Sequence, residues 1–260
     1  MDVTVEQAAK RLLDAQRILI LTHHNPDGDT LGSGFGLQKA LNQLGKQTAV
    51  LCSDSIPAKF SYFAEEQVLD FEPQLVVAVD IADEQLLGEK LSVYAGKIDL
   101  CIDHHISNRK YAKETCLHPE AAATAEIMAG LVEALGLPLS KEIADPLYTG
   151  IATDTGCFKF SNTTGNTHRI AARLMEAGAD YVTINRVMFD TKSHGRIRVE
   201  QAVLNSLRFY FDDRCAVALL PRALVEESGV DEGELDGVSA LPRQVEGVEV
   251  GITLRERDGF

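Results

Sequence analysis

The stretch from Arg17 to Cys52, RILILTHHNPDGDTLGSGFGLQKALNQLGKQTAVLC, predicts an α/β fold. Its first six residues, Arg17–Thr22, form the apolar run of a buried strand. Apolar residues at helical spacing follow from Thr30 to Leu44, Gly45 ends the helix, and Gln47–Cys52 predicts a second strand. We therefore expect a strand–helix–strand unit, the building block of parallel sheets.

The alternation of strands and helices continues on both sides of this unit. A helix is predicted from Thr4 to Ala15, with Thr4 and Gln7 at capping-box spacing. The continuous apolar runs Leu75–Val79 and Ile98–Ile102 predict buried strands. Further helices are predicted at Ala122–Leu135, Lys141–Ala152 and Thr164–Ala177. Residues 1–185 are therefore expected to form a mainly parallel sheet flanked by helices.

A second, smaller domain is predicted after this sheet. A linking helix is expected over residues 186–207, with a break near Ser193–Gly195, and an α+β domain over residues 208–260. Its strands are predicted at Arg208–Phe211, Cys215–Leu220 and Val248–Leu254, and its helix at Pro221–Ser228. The last of these strands is expected to lack a partner, so the second domain is expected to be incomplete.

The composition limits the kind of protein this can be. The 260 residues carry a formal net charge of −14, which argues against a broad basic surface for long duplex DNA but allows local binding of a small anion. No signal peptide or long apolar run is visible, so we expect a cytoplasmic protein without a membrane segment. The five cysteines lack zinc-type spacing and are expected to be buried thiols: Cys52, Cys101, Cys116, Cys157 and Cys215.

Aspartate and histidine residues form four short clusters, each where a strand is expected to end. They are His23–Asp29, Asp80, Asp103–His105 and Thr153–Gly156. The carboxyl ends of parallel strands open onto one cleft, so these side chains are expected to meet. Without a positive charge among them, the carboxylates would repel one another and the polar groups would lack partners. We therefore predict two divalent metal ions in this cleft.

The first two clusters are typical of metal ligands. Pro26 and Gly28 predict a tight, non-helical turn that directs the side chains of its neighbours inward, although a polar turn without function would look similar. Oxygen ligands favour Mn²⁺ or Mg²⁺, and the imidazole of His23 favours Mn²⁺. Asp80 alone could be a helix cap, but beside the other clusters its carboxylate could bridge two metal ions.

The other two clusters add ligands and a group for the substrate. His104 and His105 are consecutive and therefore point in different directions, so one could bind metal while the other faces a phosphate. The segment Thr153–Gly156 adds one carboxylate in a glycine-containing turn, for which a polar helix end is the alternative interpretation.

In this order and with these gaps, the motifs resemble the DHH phosphoesterase superfamily. The resemblance is greatest to its branch of RecJ-related bacterial oligoribonucleases that also dephosphorylate pAp (3′-phosphoadenosine 5′-phosphate). The matching segments are HHNPDGDTLGS at 23–33, Asp80, DHHISN at 103–108 and TDTGCF at 153–158. The resemblance covers residues 1–190, and from Val203 onward the chain is similar to the DHH-associated domain. It implies a two-metal phosphoesterase acting on short single-stranded RNA or DNA oligonucleotides and on pAp.

The resemblance also implies roles for individual residues. The first metal ion would be held by His23, Asp27 and Asp80. The second would be held by Asp29, Asp80, His104 and Asp154. His105 would contact the scissile phosphate, with Asp103 orienting a neighbouring histidine. The implied substrate contacts are His105, Asn108, Arg109 and Arg196.

One departure and three alternatives accompany this resemblance. The glycine-rich GGGHxxAAG-type segment of the associated domain does not occur before Phe260, so we expect weaker substrate binding but an intact metal centre. Alternative functions are a manganese-dependent inorganic pyrophosphatase, a cyclic-dinucleotide phosphodiesterase and a non-catalytic nucleotide-binding regulator. Gly28 and the lack of an SRK motif argue against the pyrophosphatase, and the complete ligand set argues against the regulator. A homodimer is one assembly compatible with the sequence.

Overall fold

A five-stranded parallel sheet forms the centre of the first part of the chain. The computed structural model describes residues 1–230, 234–235 and 237–256, and the chain divides into two units, Met1–Asp190 and Thr191–Phe260. In the first unit the strands lie in the order β2-β1-β3-β4-β5, and every neighbouring pair is parallel. The strands are β1 (Arg17–Leu21), β2 (Gln47–Leu51), β3 (Leu75–Val79), β4 (Leu100–Asp103) and β5 (Glu114–Leu117).

Seven helices of the first unit accompany this sheet. They are α1 (Val5–Asp14), α2 (Gly28–Gln43), α3 (Gly88–Leu91), α4 (Thr124–Ala134), α5 (Lys141–Asp154), α6 (Gly165–Glu176) and α7 (Tyr181–Asn185). The capping box predicted for α1 is present: Thr4 Oγ1 accepts from the Gln7 amide at 3.3 Å, and the Gln7 side chain accepts from the Thr4 amide at 2.9 Å. The predicted α/β fold class is confirmed.

The strands are apolar along their length because both faces of the sheet are covered. In β1, Ile18 and Ile20 pack into one hydrophobic cluster, while Leu19 and Leu21 pack into a second one. All four side chains are fully buried. Continuous apolar runs are typical of such parallel strands, which explains why β1 and β3 were recognisable from sequence.

The strand order creates a crevice between β1 and β3. The chain passes from β1 to β2 on one side, and then crosses to β3 on the other side of β1. Loops that leave β1 and β3 at their carboxyl ends therefore diverge, and such a switch point is where open α/β sheets bind ligands. The residues that follow these two strands, from Thr22 and from Asp80, lie at this point.

Glycines on α2 allow a close approach to α5. Gly28, Gly32 and Gly36 recur every four residues, and a Cβ at any of them would meet atoms of α5 at 2.3–2.6 Å. A Cβ on Gly150 of α5 would lie 2.9 Å from Asp29 Oδ1. The two helices are therefore in backbone contact next to the residues that carry the candidate ligands.

We expect Gly32→Ala to destabilise the protein by about 1–3 kcal/mol, because the new methyl group overpacks this contact. Its Cβ would lie 2.3 Å from the Pro146 carbonyl oxygen, a backbone atom that cannot rotate away. The matched control is Gly130→Ala in α4, where nothing lies within 4 Å of an added Cβ and the stability should be unchanged or slightly higher. Urea unfolding of both variants measures the difference; equal midpoints would contradict the proposed contact.

Three sequence predictions for the first unit need correction or addition. The segment Thr153–Gly156 does not follow a strand, because Asp154 is the last residue of α5. The turn at His23–Asp29 is not wholly non-helical, because Gly28 and Asp29 belong to the first turn of α2. Strand β5 was not predicted; its four residues, Glu-Thr-Cys-Leu, are too few to show a periodicity.

The second unit contains a mixed three-stranded sheet. Its strands β6 (Arg208–Tyr210), β7 (Cys215–Leu220) and β8 (Val250–Arg255) lie in the order β6-β7-β8. The helices are α8 (His194–Asn205) and α9 (Arg222–Ser228), with a 3₁₀ segment at Val238–Gln244. A small core joins one face of α8 to β7 through Val199, Val203, Ala218, Leu220 and Val238.

The linking region matches the prediction in part. The break predicted near Ser193–Gly195 is present, because α8 begins at His194, but residues 186–190 before it form a π-helical turn. The side chain of Ser193 causes this start by accepting from the Arg196 amide at 3.0 Å. The prediction that the last strand lacks a partner is wrong, because β8 pairs in parallel with β7. Residues 257–260 of the predicted domain lie outside the described residues.

The remaining sequence expectations concern cysteines and membranes. All five cysteines are free thiols, but only Cys101 and Cys116 are buried, while the other three are half-buried. Across residues 1–230, 234–235 and 237–256, no helix has the length and hydropathy needed to span a membrane.

Candidate metal centre

The first cluster of candidate ligands consists of His23, Asp27 and Asp80. His23 Nε2 lies 3.6 Å from Asp27 Oδ1 and 3.7 Å from Asp80 Oδ2. On the other side of the ring, His23 Nδ1 donates to the carbonyl oxygen of His24 at 2.7 Å. A carbonyl can only accept, so this bond places a proton on Nδ1, and Nε2 is the ring atom directed at the two carboxylates. The three side chains form a set that can bind one cation.

Local structure explains how Asp27 reaches this cluster. Asp27 is the N-cap of α2, and its Oδ1 accepts from the amides of Asp29 at 3.0 Å and Thr30 at 3.1 Å. The helix therefore starts immediately after Pro26 and fixes the carboxylate at its N-terminus. The turn still directs Asp27 towards His23, although half of the motif is helical.

The second cluster contains Asp29, Asp80, His104 and Asp154. His104 Nε2 lies 3.9 Å from Asp29 Oδ2, 3.7 Å from Asp80 Oδ1 and 3.5 Å from Asp154 Oδ2. His104 Nδ1 donates to the Ala121 carbonyl at 3.1 Å, which again leaves Nε2 free as a ligand. The structure thus brings together all six residues implied as ligands, although Asp154 comes from the end of α5.

Asp80 joins the two clusters. Its Oδ2 faces His23 and its Oδ1 faces His104, each at 3.7 Å. The residue is only 2% exposed and has a backbone φ of 59°, a left-handed conformation that is strained for an aspartate. Its amide donates to the Ile102 carbonyl at 2.9 Å, which ties the end of β3 to β4. The surrounding strands therefore hold this carboxylate between two sets of ligands.

The N-terminus of α4 supports both Asp29 and Asp80. The Thr124 and Ala125 amides donate to the two oxygens of Asp29 at 2.7 and 2.9 Å. The Thr124 hydroxyl donates to Asp80 Oδ1 at 2.9 Å. Sequence reasoning missed Thr124, because the segment Ala121–Ala125 contains no metal ligand and no recognisable capping motif. Its only signal was its position near the start of a predicted helix.

Burial and mutual proximity disfavour the carboxylate charges in this centre. Burial, with Asp80 and Asp154 nearby, raises the pKa of Asp29 well above its usual range. Burial also raises the pKa of Asp154 to about 6. On His23, burial favours the neutral ring, but hydrogen bonding to Asp27 and Asp80 outweighs it and raises the pKa to about 11.

Apart from histidine, no basic side chain in the described part of the chain balances these charges. Among the residues that the structure describes, no lysine or arginine forms an ion pair with any carboxylate of the two clusters. Three overlapping groups, each with its ligand atoms within 4.8 Å of one another, therefore lack a lysine or arginine partner. They are His23–Asp27–Asp80, Asp29–His104–Asp154 and Asp80–His104–His105. This donor set fits divalent cations such as Mn²⁺ or Mg²⁺.

His105 and Asp103 form a pair in contact with the clusters, since His105 Nδ1 also lies 3.5 Å from Asp80 Oδ1. His105 Nδ1 lies 2.8 Å from Asp103 Oδ1, and this hydrogen bond, stronger than the opposing burial, raises the pKa of His105 to about 9. Asp103 is fully buried, and its Oδ1 also accepts from the amides of His104 and His105. The geometry leaves His105 Nε2 unengaged and the ring partly exposed to solvent.

The side chain of Asn108 lies next to that of Asp103. Its Nδ2 donates to Asp103 Oδ2 at 2.6 Å and to the Ile81 carbonyl at 3.3 Å, and its Oδ1 accepts from the Lys110 amide. The side-chain amide of Asn108 therefore binds within the protein, and its expected role as a direct phosphate contact stays a prediction. Asn108 completes the hydrogen bonding of Asp103.

The two arginines expected to contact substrate lie in different parts of the chain. Arg109 is exposed, and its Nε forms an ion pair with Asp83 Oδ2 at 2.7 Å. Arg196 belongs to the second unit, where its Nε donates to Glu200 Oε1 at 2.7 Å and its Nη1 donates to the Glu234 carbonyl. Neither is among the residues that form the two clusters.

A parallel sheet with histidine and aspartate clusters at its switch point defines a metal-dependent hydrolase of phosphoester bonds. The DHH family, N-terminal domain, matches residues 17–151, just over half of the chain. The chain therefore belongs to the DHH family. The matched residues include five of the six candidate ligands, and Asp154 lies three residues beyond the match.

Several known proteins are similar over nearly the whole chain. The bifunctional oligoribonuclease and PAP phosphatase NrnA of Thermus thermophilus is 36% identical over 93% of this chain and 73% of its own length. A protein of Streptococcus mutans described as a probable bifunctional oligoribonuclease and PAP phosphatase NrnA is 26% identical, over 93% of this chain and 78% of its own length. A crystal structure of an exopolyphosphatase-related protein from Bacteroides fragilis matches with a TM-score of 0.88 and 26% identity, covering 97% of this chain and 79% of that one.

Proposed function

We propose that this protein is a two-metal phosphoesterase that hydrolyses short oligoribonucleotides to mononucleotides and removes the 3′-phosphate of pAp. The position of Asp80, with one oxygen towards each ligand cluster, carries the proposal of two metals. The substrate class rests on the similarity to NrnA, whose description names both activities. The net charge of −14 supports short substrates held locally rather than long duplex DNA.

The ligand set supports Mn²⁺, with Mg²⁺ as the alternative. We assign His23, Asp27 and Asp80 to one ion, and Asp29, Asp80, His104 and Asp154 to the other. Carboxylates suit both ions, whereas the two imidazoles favour Mn²⁺. When bound, the two ions would supply charge to stabilise the phosphoryl group and would activate water for attack on phosphorus.

The protein's own residues orient the site and handle a proton. Nδ1 of His23 and Nδ1 of His104 each donate to a backbone carbonyl, so both rings present Nε2 in a fixed direction. His105 is held by Asp103 through Nδ1, which leaves the Nε2–H available to donate to a phosphate oxygen or to the leaving oxygen. We therefore propose His105 as the group that contacts substrate and Asp103 as the residue that positions it.

This arrangement predicts a positioning role for Asn108. We expect Asn108→Ala to lower kcat by about 10–100-fold, because Asp103 loses a donor at 2.6 Å and no longer fixes the His105 ring. Mn²⁺ affinity should stay unchanged, since Asn108 touches no proposed ligand. Steady-state kinetics and Mn²⁺ titration check this pair of outcomes, with the exposed neighbour Ser107→Ala as the matched control. A proportional loss of metal binding would mean that Asn108 acts on the metal centre instead.

A panel of substrates tests the proposed function. Purified protein with Mn²⁺ is offered pAp, a labelled diribonucleotide, pyrophosphate and cyclic di-AMP in parallel. We expect release of mononucleotides from the dinucleotide and of phosphate from pAp. Exclusive hydrolysis of pyrophosphate would instead support the pyrophosphatase alternative, and exclusive hydrolysis of cyclic di-AMP would support the cyclic-dinucleotide phosphodiesterase.

We also propose that the protein acts in the cytoplasm. All five cysteines are free thiols, which is typical of a reducing compartment.

A further inference from the structure

One aromatic side chain on the loop that follows the candidate ligand Asp154 is exposed to solvent. Among the phenylalanines of residues 1–190, all of which are described, Phe160 alone is exposed, with 58% of its surface accessible. Phe158, two residues earlier, shows the ordinary alternative: it packs against the hydrophobic core and stacks on His168 at 5.1 Å. An exposed aromatic ring offers a flat apolar surface on which a ligand or partner can pack.

The loop that carries Phe160 is attached directly to Asp154. The Phe160 amide donates to the Thr155 carbonyl at 3.0 Å, one residue after Asp154. Asn162 Nδ2 donates to the Asp154 carbonyl at 3.1 Å and to the Ala122 carbonyl at 3.0 Å. The loop is thus tied on both sides of Phe160 to the candidate ligand and to the start of the segment that leads into α4.

The ring itself is held in a defined position. Residues 156–158 have φ values of 55°, 58° and 64°, so the chain makes a left-handed turn before it reaches Phe160. The outer end of the Phe160 ring lies against Gly156, where a Cβ would come within 2.4 Å of Cζ. Only a residue without a side chain allows this contact. The ring is therefore exposed and fixed at the same time, which lowers the entropic cost of binding.

A second exposed apolar side chain directly follows the Asp103–His105 cluster in the sequence. Ile106, directly after His105, is 88% exposed. Charged and polar groups thus line the centre, while apolar groups are attached at its margin. A phosphate alone would not require apolar surface, whereas a nucleotide carries a flat base next to its phosphate.

We propose that Phe160 is a stacking platform for one nucleobase of the substrate. This inference rests on the proposed function: the phosphate would lie at the metal centre, and the base of the same nucleotide would lie on the Phe160 ring. Every base has a π face, so the platform accepts different sequences while it rejects phosphoesters without a base. Phe160 is thus a substrate-binding residue that distinguishes nucleotides from pyrophosphate and polyphosphate.

Kinetics of Phe160 variants test this inference. We expect Phe160→Ala to raise the KM for pAp by about 5- to 150-fold, the range of one lost base stack, with little change in kcat. Phe160→Tyr should keep the wild-type KM, and Phe160→Leu, which retains bulk without a π system, should resemble the alanine variant. Val93→Ala is the control, because Val93 is similarly exposed at 61% and lies outside the candidate site. Thermal unfolding and Mn²⁺ binding should be the same in all five proteins.

A substrate without a base separates stacking from a general disturbance. The wild-type protein and Phe160→Ala are compared on the dinucleotide ApA and on two analogues of it. One analogue lacks the first base and the other lacks the second. The difference between the proteins should vanish for the analogue that lacks the stacked base. An unchanged KM in Phe160→Ala, or a difference that persists on both abasic substrates, would overturn the inference. If the wild-type protein hydrolysed neither pAp nor the dinucleotide, the proposed function itself would fail.

Discussion

Asp80→Asn is expected to reduce hydrolysis of pAp and of dinucleotides by more than about 100-fold. Changes in groups that only orient metal ligands already cost 10–100-fold, and Asp80 faces both clusters with its own oxygens. Asparagine keeps the size and one carbonyl oxygen but removes the negative charge that two cations would share. The measurement is kcat/KM at saturating Mn²⁺, together with the number of ions bound.

Asp83→Asn provides the matched control for this prediction. Asp83 lies three residues after Asp80, caps a short 3₁₀ turn and forms an ion pair with Arg109, but contacts neither cluster. An exposed ion pair contributes little to stability, so this variant should retain nearly full activity and metal binding. Wild-type turnover in Asp80→Asn would contradict the proposal that Asp80 binds both metal ions.

Removal of divalent ions is expected to stop turnover and to destabilise the first unit. Without cations, four carboxylates remain close together, and two of them, Asp29 and Asp154, have raised pKa values because of burial and mutual repulsion. Free Mn²⁺ at 100 times its dissociation constant would add about 2.7 kcal/mol to the stability. For a unit of this size that corresponds to a rise of roughly 5–10 °C in the unfolding midpoint.

Calorimetry with and without Mn²⁺ checks this second prediction. Protein treated with a chelator should unfold at the lower temperature, and added Mn²⁺ should restore both the midpoint and the activity. Asp83→Asn should show the full Mn²⁺-dependent shift, while Asp80→Asn should show a much smaller one. A midpoint that does not respond to Mn²⁺ in wild type would contradict the assignment of the clusters as a metal centre.

Much of the fold could be predicted because buried parallel strands leave a clear signal. The runs at β1 and β3 are apolar on every position since both sheet faces are covered, and α1 shows its capping box directly. Strand β5 gave no such signal because it is only four residues long. The break before α8 was predicted near Ser193–Gly195, and the hydrogen bond from the Arg196 amide to Ser193 accounts for it.

Only some residues of the candidate site could be predicted from the sequence. Side chains that follow strands could be placed together, since parallel strands end at one edge. Asp154 reaches the centre from α5, which contacts α2 at Gly32, and the sequence does not show which helix packs against those glycines. The hydrogen bond of Asn108 to Asp103 was not predicted, because the fold of a loop decides where an amide points. Thr124 and Phe160 were missed because neither residue type implies metal chemistry.

Equilibrium dialysis of the metal-free protein against Mn²⁺ tests the central claim most directly. The two clusters, joined by Asp80, are separate sets of ligands, so wild-type protein should bind two ions per chain. Asp83→Asn should also bind two, and Asp80→Asn should bind fewer at the same free concentration. A wild-type protein that saturates at one ion, or that binds none, would contradict the two-metal account.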